Sequence, residues 1–158
     1  GEIMSIRYVV QTGDPVLRQK CTEVKNFNKE LCDLLDDMKV TVRAEQGAGL
    51  AAPQVGVPLR VVVIDVGEGY FELVNPVIIS TKGEQTGAEG CLSVKGKQGT
   101  VTRPNKVKAE YRDRNGKKHK LTADGFFARA VCHELDHLDG ILYTDKASEV
   151  YDLPPEDV

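Results

Sequence analysis

The chain has no tryptophan and only two methionines, and aromatic residues make up 6% of its 158 positions. Its core must therefore be built mainly from aliphatic side chains. No apolar run approaches the ~20 residues that a membrane-spanning helix needs, so no membrane partner is expected. The opening "GEIMSIRYVV" has no apolar segment of signal-peptide length, and Gly1–Ile3 read as a remnant ahead of Met4. The four cysteines, Cys21, Cys32, Cys91 and Cys132, form no CxxC pair. That argues against a disulfide framework and for a reducing, cytoplasmic setting. Cys21 and Cys32 are expected as buried free thiols, packing as small hydrophobes. A net charge of -3 with scattered signs gives no reason to expect nucleic acid as a partner. There is no repeat, low-complexity tract or linker, and the length suits one domain spanning 1–158.

What the sequence does contain is a succession of short elements. Asn28 can cap a helix running to about Glu45, with Leu31, Leu34, Leu35, Met38 and Val42 as its apolar stripe. "GAGLAAPQVG" (47–56) is too rich in glycine, and too interrupted by Pro53, for a regular element. "LRVVVIDV" (59–66) reads as a buried strand and "GEG" as a turn. "YFELVNPVIIS" reads as one or two strands broken at Asn75-Pro76. "GTVTRP" and "KVKAEYRD" look like strands, and Asn115-Gly116 supplies a hairpin turn before "KKHKLT" returns. A last helix starts around Thr122 to Asp124 and stops near Gly140, a good C-terminal glycine. The acidic tail, about 148–158 with paired prolines, is expected to be loosely ordered. Strands outnumber helices, and the class is α+β.

The chemistry concentrates in the last helix. Positions four and seven apart share a helix face, so Phe126, Ala130, His133 and His137 line one side. Phe127, Val131, Leu135 and Leu138 line a wholly apolar other side. "HELDH" (133–137) lets both imidazoles reach one cation, with Glu134 placed to handle the proton of a metal-bound water. A catalytic metal of this kind takes three protein ligands and keeps a position open. Downstream of His137 there are carboxylates but no histidine, and His119 falls in a lysine-rich, solvated hairpin. Upstream, "EGCLS" (89–93) offers Cys91 in an extended stretch as the third ligand. Cys132 adjoins His133, but a 100° turn points it away from the ligand face.

"GAGLAAPQVG" (47–56), "EGCLS" (89–93) and "HELDH" (133–137) occur in the order and approximate spacing of the peptide deformylases. The chain resembles that family, and the likeness extends to "TVTRP" and "HLDGILYTD", covering most of its length. The resemblance implies antiparallel or mixed sheets packed around a central C-terminal HExxH helix, with an N-terminal helix ahead of it. It implies Cys91, His133 and His137 as metal ligands and Glu134 as general acid/base. The side-chain amide of Gln54 and the backbone N–H of Leu92 would hold the formyl oxygen. The implied reaction removes the formyl group from the initiator methionine of nascent chains, a metal-bound water attacking the formyl carbon and formate leaving. Fe²⁺ is the implied metal in the cell, with Zn²⁺, Ni²⁺ or Co²⁺ in purified protein. Formyl-methionyl nascent peptides are the implied partners of a monomer working near the ribosome.

The residues support that reading on their own terms. A bound cation can lower its water's pKa to roughly 7, Gln54 can donate to an oxyanion, and Glu134 can pass a proton to the leaving nitrogen. Phe126 and Ala130 suit an unbranched apolar side-chain pocket, and Ala48, Gly49 and Gly90 join them as candidate substrate contacts. Glu89 and Asp136 either pair with Arg103 or orient a histidine. "GAGLAA" also matches a dinucleotide fingerprint, but it follows a helix and Pro53 breaks what comes next. A glycine backbone lying close to a peptide explains Gly47 and Gly49 better. Lys95 and Gln98 depart from the family pattern at the rim of the peptide groove, and the acidic tail lacks a basic ribosome-docking helix. Two other readings stand beside this one: a zinc endopeptidase using a downstream carboxylate as third ligand, and a non-catalytic metal module that binds peptide N-termini.

Overall fold

A computed structural model describes residues 4–154. The remnant expected at 1–3 and the last four residues of the expected tail lie outside them. Helix α1 (Lys29–Ala44) begins where the Asn28 side chain accepts a hydrogen bond from the Leu31 backbone N–H at 3.1 Å. Its stripe of Leu31, Leu34, Leu35, Met38 and Val42 is buried throughout.

The segment expected to be irregular instead contains a short strand, β1 (Gly49–Ala51), and a 3₁₀ turn over Ala52–Val55. Pro53 breaks the chain less than expected because it sits at the start of that turn, where a missing N–H costs little. β1 pairs with β2 (Val61–Val66). The unbroken apolar run of β2 follows from burial on both faces: Val62 and Ile64 face one core cluster, Val61 and Val63 another.

Strand β3 (Gly69–Lys82) is continuous through Asn75-Pro76, where a break was expected. The proline is accommodated by a shift in register between Val74 and Val77. Asn75 takes a left-handed backbone there (φ 51), held by side-chain hydrogen bonds to both Val24 N–H and Val24 C=O.

Two hairpin-connected strand pairs and one later strand complete the sheets: β4 (Gln85–Cys91) with β5 (Val94–Arg103), and β6 (Lys106–Arg112) with β7 (Lys118–Asp124), while β8 (Glu149–Asp152) pairs with β5. One sheet runs β1-β2-β3-β6-β7 and the other β4-β5-β8, every pairing antiparallel. β8 corrects the expectation of a loose tail: four residues there add an ordered strand to β5.

Helix α2 (Gly125–Leu138) packs its apolar side, Phe127, Val131, Leu135 and Leu138, on Leu73, Val107, Ala109 and Leu121 of the larger sheet. α1 packs against the opposite face of that sheet. The chain leaves α2 at Gly140 with φ 75, and a side chain there would meet the Arg18 carbonyl oxygen at 2.5 Å, so glycine is required twice over. A short helix, α3 (Tyr143–Lys146), then leads into β8. Cys21 and Cys132 are buried thiols, whereas Cys32 is half-buried rather than buried. The helix thus lies with one side in the core and its other side toward the smaller sheet.

Candidate active site

The second side of α2 carries the histidines. His133 is 8% exposed and His137 1%, so neither is a solvated surface imidazole. Cys91 arrives from the other sheet, at the end of β4, where the β4–β5 register shifts between Glu89 and Cys91. Its Sγ lies 3.4 Å from His137 Nε2. One ligand atom each from Cys91, His133 and His137 fall within 4.8 Å of one another. Thiolate–cation bonds of about 2.3 Å and imidazole bonds of about 2.0–2.1 Å place tetrahedral neighbours roughly 3.4–3.6 Å apart. The donor set therefore fits one cation of borderline softness with little movement.

The imidazoles are fixed from behind. His133 Nδ1 lies 2.8 Å from Glu89 Oε1, which turns the other ring nitrogen toward the thiol. Glu89 is itself buried and accepts two hydrogen bonds from Arg103, at 2.9 Å each, and one from Arg129 Nη1 at 2.6 Å. Burial works against its charge, but Arg103 and His133 prevail and hold the carboxyl well below the usual range. Glu89 thus both pairs with Arg103 and orients a histidine. Asp136 pairs with Arg103 at 2.6 Å and with Lys146, and reaches the histidine only through that arginine.

Burial lowers His133, yet its hydrogen bonds to Cys91 and Glu89 outweigh that and raise it to about 10. His137 is driven the other way, first by burial and then by the neighbouring His133 charge. Glu134 is 5% exposed, and burial raises its carboxyl to about 7, against the pull of His133. A carboxyl poised near neutrality suits proton transfer in both directions. Its closeness to β1 explains Gly49: a side chain there would meet Glu134 Oε2 at 2.7 Å. At Gly47 a side chain would meet Leu92. Both glycines give room to protein side chains, and both also lie on the wall of the cavity described below.

Gln54 is 1% exposed, and its Oε1 accepts from the Ala51 backbone N–H at 2.9 Å. That bond directs Nε2 toward Ser93 Oγ (3.1 Å) and Cys91 Sγ (3.5 Å). A cavity of about 410 Å³ opens here, and Gln54, Cys91, His133 and Glu134 all reach its wall. Of the other expected contacts, Ala48, Gly49, Gly90, Leu92, Phe126 and Ala130 line it too. Phe126 is 61% exposed at its edge, whereas Ala130 is buried. Lys95 and Gln98, the two departures from the family pattern, also lie on this wall.

The remaining expectations divide. Cys132 belongs to the core cluster, and burial pushes its thiol up. His119 sits outside the donor cluster, hydrogen-bonded to Asp113 at 2.7 Å and stacked on Tyr111, so it is half-buried rather than simply solvated. Three residues of the site went unread in the sequence: Arg129, Ser93 and Tyr143, whose ring stacks on His133 with centroids 6.0 Å apart. Only Arg129 gave a signal, a lone arginine four residues before His133 in an otherwise apolar stretch.

Known proteins match both the sequence and the fold. The polypeptide deformylase family profile matches residues 6–152. A peptide deformylase of Thermoanaerobacter pseudethanolicus is 52% identical over 149 residues, covering 94% of each chain. The crystal structure of a Legionella pneumophila peptide deformylase superposes with a TM-score of 0.88 at 41% identity, covering 91% of this chain and 87% of the other. That of a Synechococcus elongatus peptide deformylase, in complex with actinonin, superposes at 0.87 with 37% identity, covering 94% and 84%. With a matching profile over nearly the whole length and the same fold at substantial identity, the chain belongs to the peptide deformylase family.

Proposed function

We propose that this cavity is the active site in which the chain hydrolyses the N-formyl group of nascent polypeptides, releasing formate and a free amine. The observation that carries the reading is the convergence of Cys91, from a strand of the smaller sheet, with His133 and His137, from one helix, beside a buried Glu134. A divalent cation held by those three donors would supply Lewis acidity and lower the pKa of a water to roughly 7.

The chain's own groups do the rest. Glu134 accepts a proton from the attacking water, a C–O bond forms at the formyl carbon, and the C–N bond breaks as Glu134 returns the proton to the leaving nitrogen. Gln54 Nε2 and the Leu92 backbone N–H donate to the oxygen on which charge develops. Glu89, Arg103 and Arg129 hold His133 in the tautomer that ligation needs. Ala130 and Phe126 offer an apolar wall to the methionine side chain.

Iron is the cellular metal we favour, with zinc, nickel or cobalt able to occupy the same donors in purified protein. Divalent occupancy follows availability as much as affinity. The reading further holds the chain to be one domain, acting as a cytoplasmic monomer on formyl-methionyl chains as they leave the ribosome. Among the described residues no helix is long and apolar enough to cross a membrane.

The endopeptidase reading needs a downstream carboxylate as ligand. Asp139 instead pairs with Arg60, Asp145 with Arg18, and Asp152 with Lys97. A pure binding module would keep its function when Glu134 becomes Gln, whereas a hydrolase loses turnover by about 10²–10⁴-fold. The direct test offers formyl-Met-Ala and acetyl-Met-Ala and follows release of free amine. Release from the formyl peptide alone supports the proposal, and release from neither overturns it.

A further inference from the structure

β8 is exposed along its whole length, so no core packing holds it in place. It is held by main-chain pairing to β5, with Lys97 opposite Asp152 and Gln98 opposite Tyr151. Two polar contacts add to this: Lys97 Nζ to Asp152 Oδ1 at 2.7 Å, and the Tyr151 hydroxyl to Gln98 Oε1 at 3.1 Å. The last bond of the ladder runs from the Leu153 backbone N–H to the Gly96 carbonyl at 2.8 Å. Covering the edge of β5 accounts for the strand. It does not account for Leu153, which lies one residue beyond β8 and forms part of the wall of the cavity that holds Cys91 and Glu134. Leu153 remains 43% exposed, an aliphatic side chain at the rim of a site whose neighbouring rim positions are Lys95, Gly96 and Lys97.

The strand order converts this into a position along a substrate. Cys91 ends β4, and Leu153 follows β8, with β5 between them. Two strand spacings of about 4.8 Å put Leu153 roughly 10 Å from the strand that carries the thiol. For a formyl peptide that runs from the thiol across β5 toward β8, the path this inference assigns to it, a rise of about 3.3 Å per residue makes that span roughly three residues from the formyl carbon. We infer that Leu153, fixed by the pairing of β8 with β5, is a specificity-determining residue that takes an apolar side chain at the third residue of the formyl peptide. This rests on the deformylase reading above and deepens it: the preferred substrate class is a formyl peptide of at least three residues with an aliphatic third residue. Substrates that end at the second residue do not reach Leu153.

The experiment compares formyl-Met-Ala with formyl-Met-Ala-Leu on the wild type, on Leu153→Ala, and on a chain ended after Asp152. Binding of the product peptide Met-Ala-Leu, measured by calorimetry, provides a readout independent of turnover. Loss of an aliphatic contact at a half-exposed rim raises KM for the longer substrate about five- to tenfold in both variants. It weakens product binding in proportion and leaves kcat, and all constants for formyl-Met-Ala, unchanged. Equal changes on both substrates would overturn the inference, because Leu153 would then act through the stability of the site. So would no change on either. If the wild type deformylates neither peptide, the proposed function falls and takes this inference with it. If the wild type is active and the variants match it, the inference alone falls.

Discussion

Two arginines in this molecule make nearly the same bonds in very different surroundings. Arg103 forks onto Glu89 with two bonds of 2.9 Å and reaches Asp136 at 2.6 Å. Arg114 forks onto Glu72 at 3.0 and 2.8 Å and reaches Asp36 at 2.9 Å. Each ties a strand carboxylate to a helix carboxylate, Arg103 joining β4 to α2 and Arg114 joining β3 to α1. The side chain of Arg103 is 3% exposed and that of Arg114 29%. Geometry alone would rank them equal, but burial does not. Around Arg103, removing any member leaves an uncompensated charge away from water. Around Arg114, water replaces what is lost. Only the buried cluster has a histidine attached to its carboxylate, so only there does an ion pair bear on chemistry.

The sharpest way to break the comparison is Glu89→Gln. It leaves Arg103 and Arg129 short of charge and His133 with a poorer acceptor. Chemical denaturation should show a loss of about 3–5 kcal/mol, and metal titration a loss of affinity of about 10–100-fold. A loss no greater than that for the exposed cluster would erase the distinction.

Gln54→Ala comes next and separates holding the metal from stabilising charge. Activity on formyl-Met-Ala should fall about 10²–10³-fold, while metal content stays at the wild-type level. A smaller step sharpens the packing around Glu134. Gly49→Ala introduces a carbon 2.7 Å from Glu134 Oε2 and should cost about 1–3 kcal/mol of stability, with activity reduced because the carboxylate must move. The smallest effect is expected at the exposed cluster: Arg114→Ala should cost at most about 1 kcal/mol and leave kcat/KM for formyl-Met-Ala unaltered.

The contrast between the two clusters also explains how much was legible in the sequence. The histidine pair on α2 follows from local periodicity, because residues four apart share a face whatever the rest of the chain does. Cys91 was legible as an extended residue of the right chemistry, although its meeting with His137 depends on a bulge that no local pattern announces. Arg129 was not read, since an arginine in a helix is ordinarily solvated and its burial depends on Glu89, forty positions away in sequence. β8 was illegible for a related reason. Its partner lies some fifty residues earlier, and a strand exposed on both faces carries no alternation of apolar and polar residues to mark it. The break expected at Asn75-Pro76 failed because Val24, far upstream, satisfies the asparagine side chain and stabilises the bulge. Elements defined by their own spacing could be read, and those defined by a distant partner could not.

The central claim is that a sulfur from β4 and two nitrogens from α2 share one cation. Metal content after dialysis against a trace divalent ion, compared between the wild type and Cys91→Ala, tests it most directly. The account predicts close to one ion per chain in the wild type and a small fraction of that in the variant, with both proteins folded. Equal, near-stoichiometric metal in the two would contradict it.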